Sequence, residues 1–251
     1  MNAVFLADAH LKLPEDNNYQ AIISFLDNEC QGIDLLVILG DFFEFLIGYP
    51  VKDFPHYRPV LDCLMRLKTA GIRIIYCEGN HDFHLGSFFT DTLGAELFTG
   101  PVVIDFDEKK TLICHGDQIN AHELSRRMLR AFLHGPAVKA LIPLIPARYA
   151  CAIAIRMSRV STSRRAKKKR HDDTRIQMIK NYASLRFAEG CETVITGHFH
   201  LPFIETSENP QRTLLSLGEW ITEFNYGAYR NGEFSLNKYS FPQASNPNIS
   251  R

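Results

Sequence analysis

The sequence predicts an α/β fold in which buried strands alternate with helices. Short apolar runs rich in β-branched residues and Leu recur along the chain, and several of them are closed by Gly or Asp, which is typical of buried strands. The first three runs are separated by two segments with apolar residues at helical spacing, which indicates β-α-β units. Five of the runs are followed directly by carboxylate, amide or imidazole side chains, so the strand ends are expected to gather functional groups.

The N-terminal part is predicted to contain three strands and two helices. The strands cover Ala3–Ala7, Leu35–Leu39 and Ile72–Cys77, all of them almost entirely apolar. The helices cover Tyr19–Glu29 and Tyr57–Ala70, where apolar residues recur every three or four positions. Because strand and helix alternate here, the strands are expected to lie parallel to one another.

The rest of the chain is predicted to return to β-structure. A hairpin is expected from Val102–Phe106 and Lys110–Cys114, and a further strand from Thr193–Thr196. The last two strands are joined at an Asn-Gly pair, which is a strong hairpin signal. The C-terminal strands are predicted at Thr213–Leu217, Tyr226–Arg230 and Glu233–Tyr239.

Length and composition are typical of a soluble enzyme. The chain has 251 residues, enough for a single domain that carries an insertion. Its formal net charge is zero, so no global field attracts nucleic acid or acidic partners. Its six cysteines include no CxxC pair, which favours a reduced, cytosolic compartment over a disulfide framework. We expect no membrane span and no signal segment, since the apolar runs are short and the first strand begins early.

Five polar clusters at the strand ends carry the chemistry. They are Asp8-Ala9-His10, Gly40-Asp41, Gly79-Asn80-His81-Asp82, His115-Gly116-Asp117 and Gly197-His198-Phe199-His200. Together the clusters supply seven side chains that can bind a metal, which is too many for one ordinary ion and suits two. They are Asp8, His10, Asp41, Asn80, His115, His198 and His200. Mixed imidazole and carboxylate donors suit Mn, Fe, Zn, Co or Ni rather than Ca or Mg. Two such ions about 3.5–4 Å apart can clamp the attacking and leaving oxygens of a phosphoryl displacement.

Asp41, Asn80 and the nearby Glu44 are each expected to have a particular role at the metal site. Asp41 is the natural bridge, since its two carboxylate oxygens can hold two cations together. Asn80 contributes a neutral carbonyl oxygen, which adds no further negative charge. Glu44, three residues after Asp41, is interpreted as a supporting residue or a helix-start residue rather than a ligand.

The order of these clusters resembles that of the calcineurin-like metallophosphoesterase superfamily, from Asp8 to His200. The resemblance implies a four-layer α/β/β/α sandwich of two mixed sheets. It implies two metal sites, which share one residue: Asp8, His10, Asp41 and His200 for the first, and Asp41, Asn80, His115 and His198 for the second. It also implies that His81 lies beside the phosphate and can protonate the leaving oxygen, with Asp82 orienting its ring.

The segment 121–170 departs from the strand–helix alternation and is predicted to be a helical cap within a single domain spanning 1–251. Helices are expected at Glu123–Leu133 and Val138–Arg156; the second is strongly apolar, and basic residues flank both. Apolar helices with basic flanks can rest in the headgroup region of an anionic bilayer, so we favour a lipid-facing lid. The alternatives are a plain cap with a solvated basic face and a nucleic-acid surface, which lacks interleaved aromatic residues.

A narrower resemblance is to the UDP-2,3-diacylglucosamine diphosphatases of lipid A biosynthesis. It is carried by Phe5–His10, Leu39–Glu44, Gly48, the helical insertion and Arg156–Ser161. The resemblance implies hydrolysis of the pyrophosphate of UDP-2,3-diacylglucosamine to UMP and 2,3-diacylglucosamine 1-phosphate, with Mn²⁺ as the favoured metal. It implies a cytoplasmic enzyme peripheral to the inner membrane, without a nucleic-acid partner. The implied substrate contacts are Asn80, His81, Glu123, Ser161, Lys168 and His198.

One position departs from the narrower family, which typically carries Arg where this chain has His81. The change keeps Asn80 as a ligand but replaces a permanent cation with a titratable one. A related metallophosphoesterase acting on another nucleotide diphosphate or phosphodiester is therefore the alternative to the lipid enzyme. The third hypothesis, a non-catalytic protein-binding scaffold, is disfavoured because such a protein has no need of the complete ligand set.

Overall fold

Two β-sheets stack face to face in the computed structural model, and helices cover the outer side of each. The structure describes residues 1–119, 128, 131–144, 146, 172–208 and 210–241. The arrangement is the four-layer α/β/β/α sandwich implied by the sequence resemblance, so the predicted fold class is confirmed.

The helices and strands of the described residues alternate in the N-terminal half and are mostly strands in the C-terminal half. The strands are β1 (Ala3–Leu6), β2 (Leu35–Ile38), β3 (Leu46–Ile47), β4 (Arg73–Cys77), β5 (Asp82–Phe83), β6 (Glu96–Phe98), β7 (Val102–Phe106), β8 (Lys109–Cys114), β9 (Thr193–Thr196), β10 (Pro202–Glu208), β11 (Gln211–Leu217), β12 (Asn225–Arg230) and β13 (Glu233–Lys238). The α-helices are α1 (Asn17–Asn28), α2 (Arg58–Thr69), α3 (Pro136–Leu141) and α4 (Asp172–Ala188). Short 3-10 turns lie at Val51–Asp53, Pro55–Tyr57 and Ile142–Leu144, and a π-helical turn at Phe88–Thr92.

The first sheet has the strand order β13-β12-β1-β2-β4-β6. Its four strands from the N-terminal half are mutually parallel, as the β-α-β pattern predicts, and β12 adds on antiparallel to β1. Along β1, Val4 and Leu6 pack on the helical side, whereas Ala3 and Phe5 pack against the second sheet. Burial on both faces explains why these strands are continuous apolar runs rather than alternating ones.

The second sheet has the order β10-β11-β9-β8-β7, with β8, β9 and β11 parallel and the two edge strands antiparallel. Ile113 and Ile195 face the first sheet. Leu112 and Val194 point the other way, into a cluster that includes Ile179 of α4. The inner core of the sandwich is therefore formed by one face of each sheet, and α4 covers the outer face of the second.

The topology places the polar clusters together. Neighbouring parallel strands end at the same edge of a sheet, so the residues that follow β1, β2 and β4 share one edge and those that follow β8 and β9 share another. The two edges meet, because the backbone N–H of His198 donates to Asp8 Oδ2 at 2.7 Å. The candidate site therefore lies at the junction of the two sheets.

Most predicted elements agree with the structure to within two residues, but some elements were not predicted. Strand β10 was missed because nearly all of its residues are exposed, so it has no apolar pattern. Helix α4 was missed for a similar reason, since only Ile179 and Ala183 along its length are buried. The short pair β3 and β5 and the edge strand β6 have two or three residues each, too few to show a period.

The predicted cap is described only in part. The expected helix Glu123–Leu133 lies mostly outside the described residues, as does the second helix beyond residue 146. Within the described part, α3 begins two residues before the expected Val138, with Pro136 in the first helical turn, where its missing N–H has no cost. It ends at Leu141 and continues as the 3-10 turn Ile142–Leu144, because Pro143 has no N–H to continue the α-helical hydrogen bonds.

In the part of the chain that the structure describes, no helix combines the length and apolar character that crossing a bilayer requires. The cysteines described are all buried and unpaired, at positions 30, 63, 77, 114 and 191. They occupy apolar surroundings, as expected for Cys that serves as a small core residue.

Candidate metal centre

The backbone at the strand ends is held in an unusual conformation. Five non-glycine residues there have left-handed geometry with φ between 46° and 66°: Asp8, His10, Asp41, His198 and His200. This region costs a non-glycine residue on the order of 1–3 kcal/mol, and such residues cluster at functional sites. All five belong to the predicted ligand set, so the fold maintains strain at the positions whose side chains converge.

One group of side chains consists of Asp8, His10 and His200, whose candidate ligand atoms all lie within 4.8 Å of one another. Asp8 Oδ1 is 3.2 Å from His200 Nε2 and 3.9 Å from His10 Nε2. These three atoms are buried and none makes a hydrogen bond within the described structure. Buried polar atoms without a partner are rare in folded proteins. Three that face one another match the donor set of a metal ion.

A second group consists of Asp41, Asn80, His115 and His198. His115 Nε2 lies 3.5 Å from Asp41 Oδ2, 3.2 Å from Asn80 Oδ1 and 3.1 Å from His198 Nδ1. His115 Nδ1 donates to the carbonyl oxygen of Leu39 at 2.7 Å, which in the neutral ring leaves a lone pair on Nε2. Oxygen and nitrogen lone pairs therefore converge, and a shared cation is the group that such a set accommodates.

The two groups are adjacent and share Asp41. Its Oδ2 lies 3.5 Å from His115 Nε2 in one group and 3.7 Å from His10 Nε2 in the other. Its Oδ1 accepts the backbone N–H of Asn80 at 2.8 Å and that of His81 at 2.9 Å. One carboxylate oxygen is thus fixed by the backbone, while the other faces both sets of ligand atoms.

The electrostatics of the site favour positive charge. Burial alone lowers the pKa of His115, but the carboxylates of Asp41 and Asp8 outweigh it and raise that pKa to about 10. Burial, together with the charge of His115, lowers the pKa of His198 to about 4. Because neighbouring carboxylates promote proton uptake by one buried imidazole, the site has an excess of negative charge that a divalent cation would neutralise.

Gly79 allows the loop after β4 to approach Asp41. A Cβ atom at this position would collide with the Asp41 carboxylate and its backbone nitrogen. Without a side chain, the loop comes close enough for the N–H groups of Asn80 and His81 to bind Asp41 Oδ1. The glycine in the third cluster is therefore required by a close approach.

Asp82 does not orient the ring of His81, contrary to the expectation from the sequence. Its buried carboxylate accepts five hydrogen bonds, from the backbone N–H groups of Asp41, Phe42, Phe43 and Gly79 and from the hydroxyl of Tyr76. The His81 ring is held elsewhere: its Nδ1 is 3.0 Å from the carbonyl oxygen of Glu44. The acid next to His81 in sequence points away from it because it anchors the loop that carries Asp41.

Asp82→Ala is expected to lower the free energy of unfolding by about 3 kcal/mol, because several buried N–H groups lose their acceptor. Urea unfolding followed by circular dichroism measures this loss. Asp62→Ala is the matched control, because Asp62 forms an exposed ion pair with Arg58, and such pairs contribute at most about 1 kcal/mol. Equal losses in the two variants would contradict the anchoring role.

His81 stands beside the two groups. Its ring makes an edge contact with that of His10, with centroids 4.7 Å apart. Burial lowers the pKa of His81, but the Asp41 carboxylate and the Glu44 carbonyl outweigh it, so the pKa lies above its ordinary value. A protonated imidazole at this position can donate a hydrogen bond to a phosphate or leaving oxygen.

The structure adds a residue that the sequence did not single out. Arg175 on α4 donates to the carbonyl oxygen of Phe199, the residue between His198 and His200, and also pairs with Asp172 at 3.0 Å. Nothing in the local sequence signals this contact, because α4 and the loop are adjacent only in the fold. Three predicted substrate contacts, Glu123, Ser161 and Lys168, lie outside the described residues.

Comparison with known proteins agrees with this geometry. A family model described as calcineurin-like phosphoesterase matches residues 1–202. A UDP-2,3-diacylglucosamine hydrolase from Yersinia pseudotuberculosis serotype O:1b is 32% identical over 227 residues, which cover 89% of this chain and 92% of that protein. A protein of the same name from Aeromonas salmonicida is 29% identical over 246 residues, covering 96% and 95%. Another from Stenotrophomonas maltophilia is 29% identical over 230 residues, covering 89% and 92%.

Proposed function

The chain belongs to the calcineurin-like phosphoesterase family, and on this basis we propose that it hydrolyses the pyrophosphate of UDP-2,3-diacylglucosamine. The products are UMP and 2,3-diacylglucosamine 1-phosphate. The main support is that relatives named for this substrate match nearly the whole chain, including the cap region, and not only the metal-site motifs. The hydrolase class follows from the family itself.

Enzymes of this family use a dinuclear divalent metal centre, and the two groups of side chains fit one. We assign the first ion to Asp8, His10, Asp41 and His200 and the second to Asp41, Asn80, His115 and His198. The three buried acceptor atoms without hydrogen bonds support the first assignment. Mn²⁺ is the favoured metal, with Fe, Zn, Co and Ni suited to the same donors. When bound, such ions supply Lewis-acid stabilisation of phosphoryl charge and activation of water.

The chain's own residues orient the site and move the proton. Asp41 keeps the two ligand groups in register, since its Oδ1 is fixed by two backbone N–H groups. His81 has Nδ1 on the Glu44 carbonyl, so Nε2 is the ring atom left to contact a phosphate oxygen. We assign His81 the role of donating a proton to the leaving oxygen, because its Nε2 is the ring atom not engaged by the Glu44 carbonyl. Asn80 and His198, which would hold the second ion, are proposed to contact the substrate as well.

The acyl chains are assigned to the cap, segment 121–170 of a single domain. Its described part exposes large apolar side chains, with Phe132 64%, Leu141 55% and Leu144 76% exposed. Such side chains, with the basic residues around them, suit a substrate that carries both acyl chains and a diphosphate. Ser161, Lys168 and Glu123 are proposed to contact its polar part. The protein would then work at the cytoplasmic surface of the inner membrane, without a nucleic-acid partner.

A second candidate keeps the same metal centre and changes the substrate. His81 stands where the lipid enzymes typically carry Arg, and a titratable ring binds phosphate differently from a permanent cation. Hydrolysis of another nucleotide diphosphate or phosphodiester is therefore the alternative. A non-catalytic scaffold is disfavoured, because it gives no reason for five strained residues to bring buried polar atoms together.

Release of UMP from UDP-2,3-diacylglucosamine is expected to require Mn²⁺. Protein stripped with a chelator should be inactive, and Mn²⁺ should restore activity with two ions bound per chain, as calorimetry can count. Binding at each of the two sites should also stabilise the fold by about 4 kcal/mol at a thousandfold excess over Kd. Fewer than two ions per chain would revive the scaffold hypothesis. Two ions without UMP release would favour the second candidate.

A further inference from the structure

Glu44 contacts both of the histidine rings that lie nearest to it, although neither belongs to its own loop. Its side chain is 6% exposed, and Oε2 lies 3.1 Å from His10 Nδ1. Its main-chain carbonyl oxygen lies 3.0 Å from His81 Nδ1. His10 follows β1 and His81 follows β4, so a single residue after β2 joins the loops of three parallel strands.

The backbone around Glu44 is fixed on both sides. The N–H of Glu44 donates to the carbonyl oxygen of Leu11 at 3.0 Å. Two residues later, the N–H of Leu46 donates to the carbonyl oxygen of His81 at 3.0 Å. On the outer side, Lys12 Nζ lies 3.8 Å from Glu44 Oε1, which leaves Oε2 to face His10. Glu44 therefore has a defined position from which its carboxylate and its carbonyl can hold the two rings.

We propose that Glu44 is a positioning residue, which holds His10 through its carboxylate and His81 through its carbonyl. The inference rests on the proposed metal centre. A carboxylate that accepts the Nδ1–H of His10 leaves the ring's lone pair on Nε2. His10 Nε2 is buried, makes no hydrogen bond within the described structure and lies 3.7 Å from Asp41 Oδ2. Such a carboxylate also raises the basicity of the ring as a ligand, and its removal typically costs 10- to 100-fold in metal affinity or activity.

The Glu44 carboxylate is better placed to support a ligand than to be one. His10, Glu44 and His81 have candidate ligand atoms within 4.8 Å of one another, so a third cation among them is the competing interpretation. However, Oε2 already faces His10 Nδ1 at hydrogen-bond distance and the Glu44 carbonyl faces His81 Nδ1 in the same way. The Nδ1 atoms of His10 and His81 are therefore both engaged by Glu44 itself, which favours a supporting role for this residue.

Titration of chelator-stripped protein with Mn²⁺ in a calorimeter tests the proposal without substrate. In Glu44→Ala we expect one of the two ions to bind 10- to 100-fold more weakly and the other to bind as in the unchanged protein. Glu44→Gln should lose less, because its amide oxygen still accepts the His10 N–H, and it serves if the alanine variant does not fold. At Mn²⁺ concentrations that refill the site, kcat and KM for UMP release should return to those of the unchanged protein, because alanine keeps the main-chain carbonyl that holds the His81 ring.

Glu96→Gln is the matched control, since it removes the same charge from an exposed ion pair with Arg73 on β4. It should change neither ion's affinity. Unchanged affinities in both Glu44 variants, with only a lower Tm of the metal-free protein, would overturn the proposal in favour of a purely structural role. Three ions in the unchanged protein and two in Glu44→Ala would overturn it in favour of a ligand. If the unchanged protein binds two ions but does not release UMP, the proposed function fails while the titration still decides the role of Glu44.

Discussion

Asp41→Ala is expected to lower kcat for UMP release by about 10³-fold or more, even with Mn²⁺ in excess. Asp41 is the side chain that both ligand groups share, with Oδ2 3.5 Å from His115 Nε2 and 3.7 Å from His10 Nε2. Losing one preorganised electrostatic contact to a transition state typically costs 10²- to 10³-fold. Loss of a shared ligand weakens the binding of both proposed ions at once, so the loss of kcat should be about 10³-fold or more.

Asp41→Asn separates the bridging role from the structural role. Its amide oxygen can still accept the N–H groups of Asn80 and His81, so the loop should remain in place. We therefore expect nearly normal unfolding but a loss of kcat close to that of the alanine variant. Asp34→Asn is the matched control, because Asp34 precedes the same strand and its carboxylate accepts the exposed backbone N–H of Asn2, outside the two ligand groups. A tenth or more of the original activity in Asp41→Ala would exclude the bridging role.

UDP-2,3-diacylglucosamine is expected to be hydrolysed with a kcat/KM at least about 10²-fold above that of UDP-N-acetylglucosamine. Burial of each CH₂ group contributes about 0.8 kcal/mol, so three or four buried groups already provide a factor of this size. Phe132, Leu141 and Leu144 on the described part of the cap are the apolar side chains available for this burial. The ratio is measured by UMP release from both substrates at the same Mn²⁺ concentration.

Leu141→Ser should lower kcat/KM for UDP-2,3-diacylglucosamine and leave kcat/KM for UDP-N-acetylglucosamine unchanged, so the ratio of the two should fall. Leu185→Ser is its matched control, because Leu185 is 59% exposed on α4, close to the 55% of Leu141, but lies outside the cap. Equal rates on the acylated and unacylated substrates would exclude the lipid substrate and favour another nucleotide diphosphate. That result would leave the metal centre untouched, since the diphosphate chemistry is the same for both substrates.

The order of the five polar clusters predicted the fold class and the family, both of which are confirmed. Prediction worked where burial is complete: β1 and β2 are apolar on both faces, so they stand out in the sequence. It failed at β10, an exposed edge strand whose pairing with β11 comes from the backbone and not from an apolar face. Hydrogen bonding between main chains leaves no mark on side-chain composition.

Within the site, the roles of the acidic residues also include some that the sequence could not predict. The sequence places Asp82 next to His81 and Glu44 three residues after Asp41, and the expectation that Asp82 orients the His81 ring was wrong. In the fold, Asp82 turns inward to the backbone of residues 41–43, and the carbonyl of Glu44 takes its place. Adjacency along the chain does not decide which way a side chain points, because the backbone conformation at each loop residue sets that direction.

The sequence by itself determined which residue types are available and at which strand ends they lie. The motif spacing and the apolar runs were sufficient for that, because burial and strand alternation are local requirements on side chains. Only the tertiary structure decided that Asp41 faces both ligand groups, that Glu44 contacts two histidines and that Arg175 holds the loop of His198 and His200. These contacts depend on the register of parallel strands and on the stacking of two sheets. So does the hydrogen bond from the N–H of His198 to Asp8, which joins residues 190 positions apart.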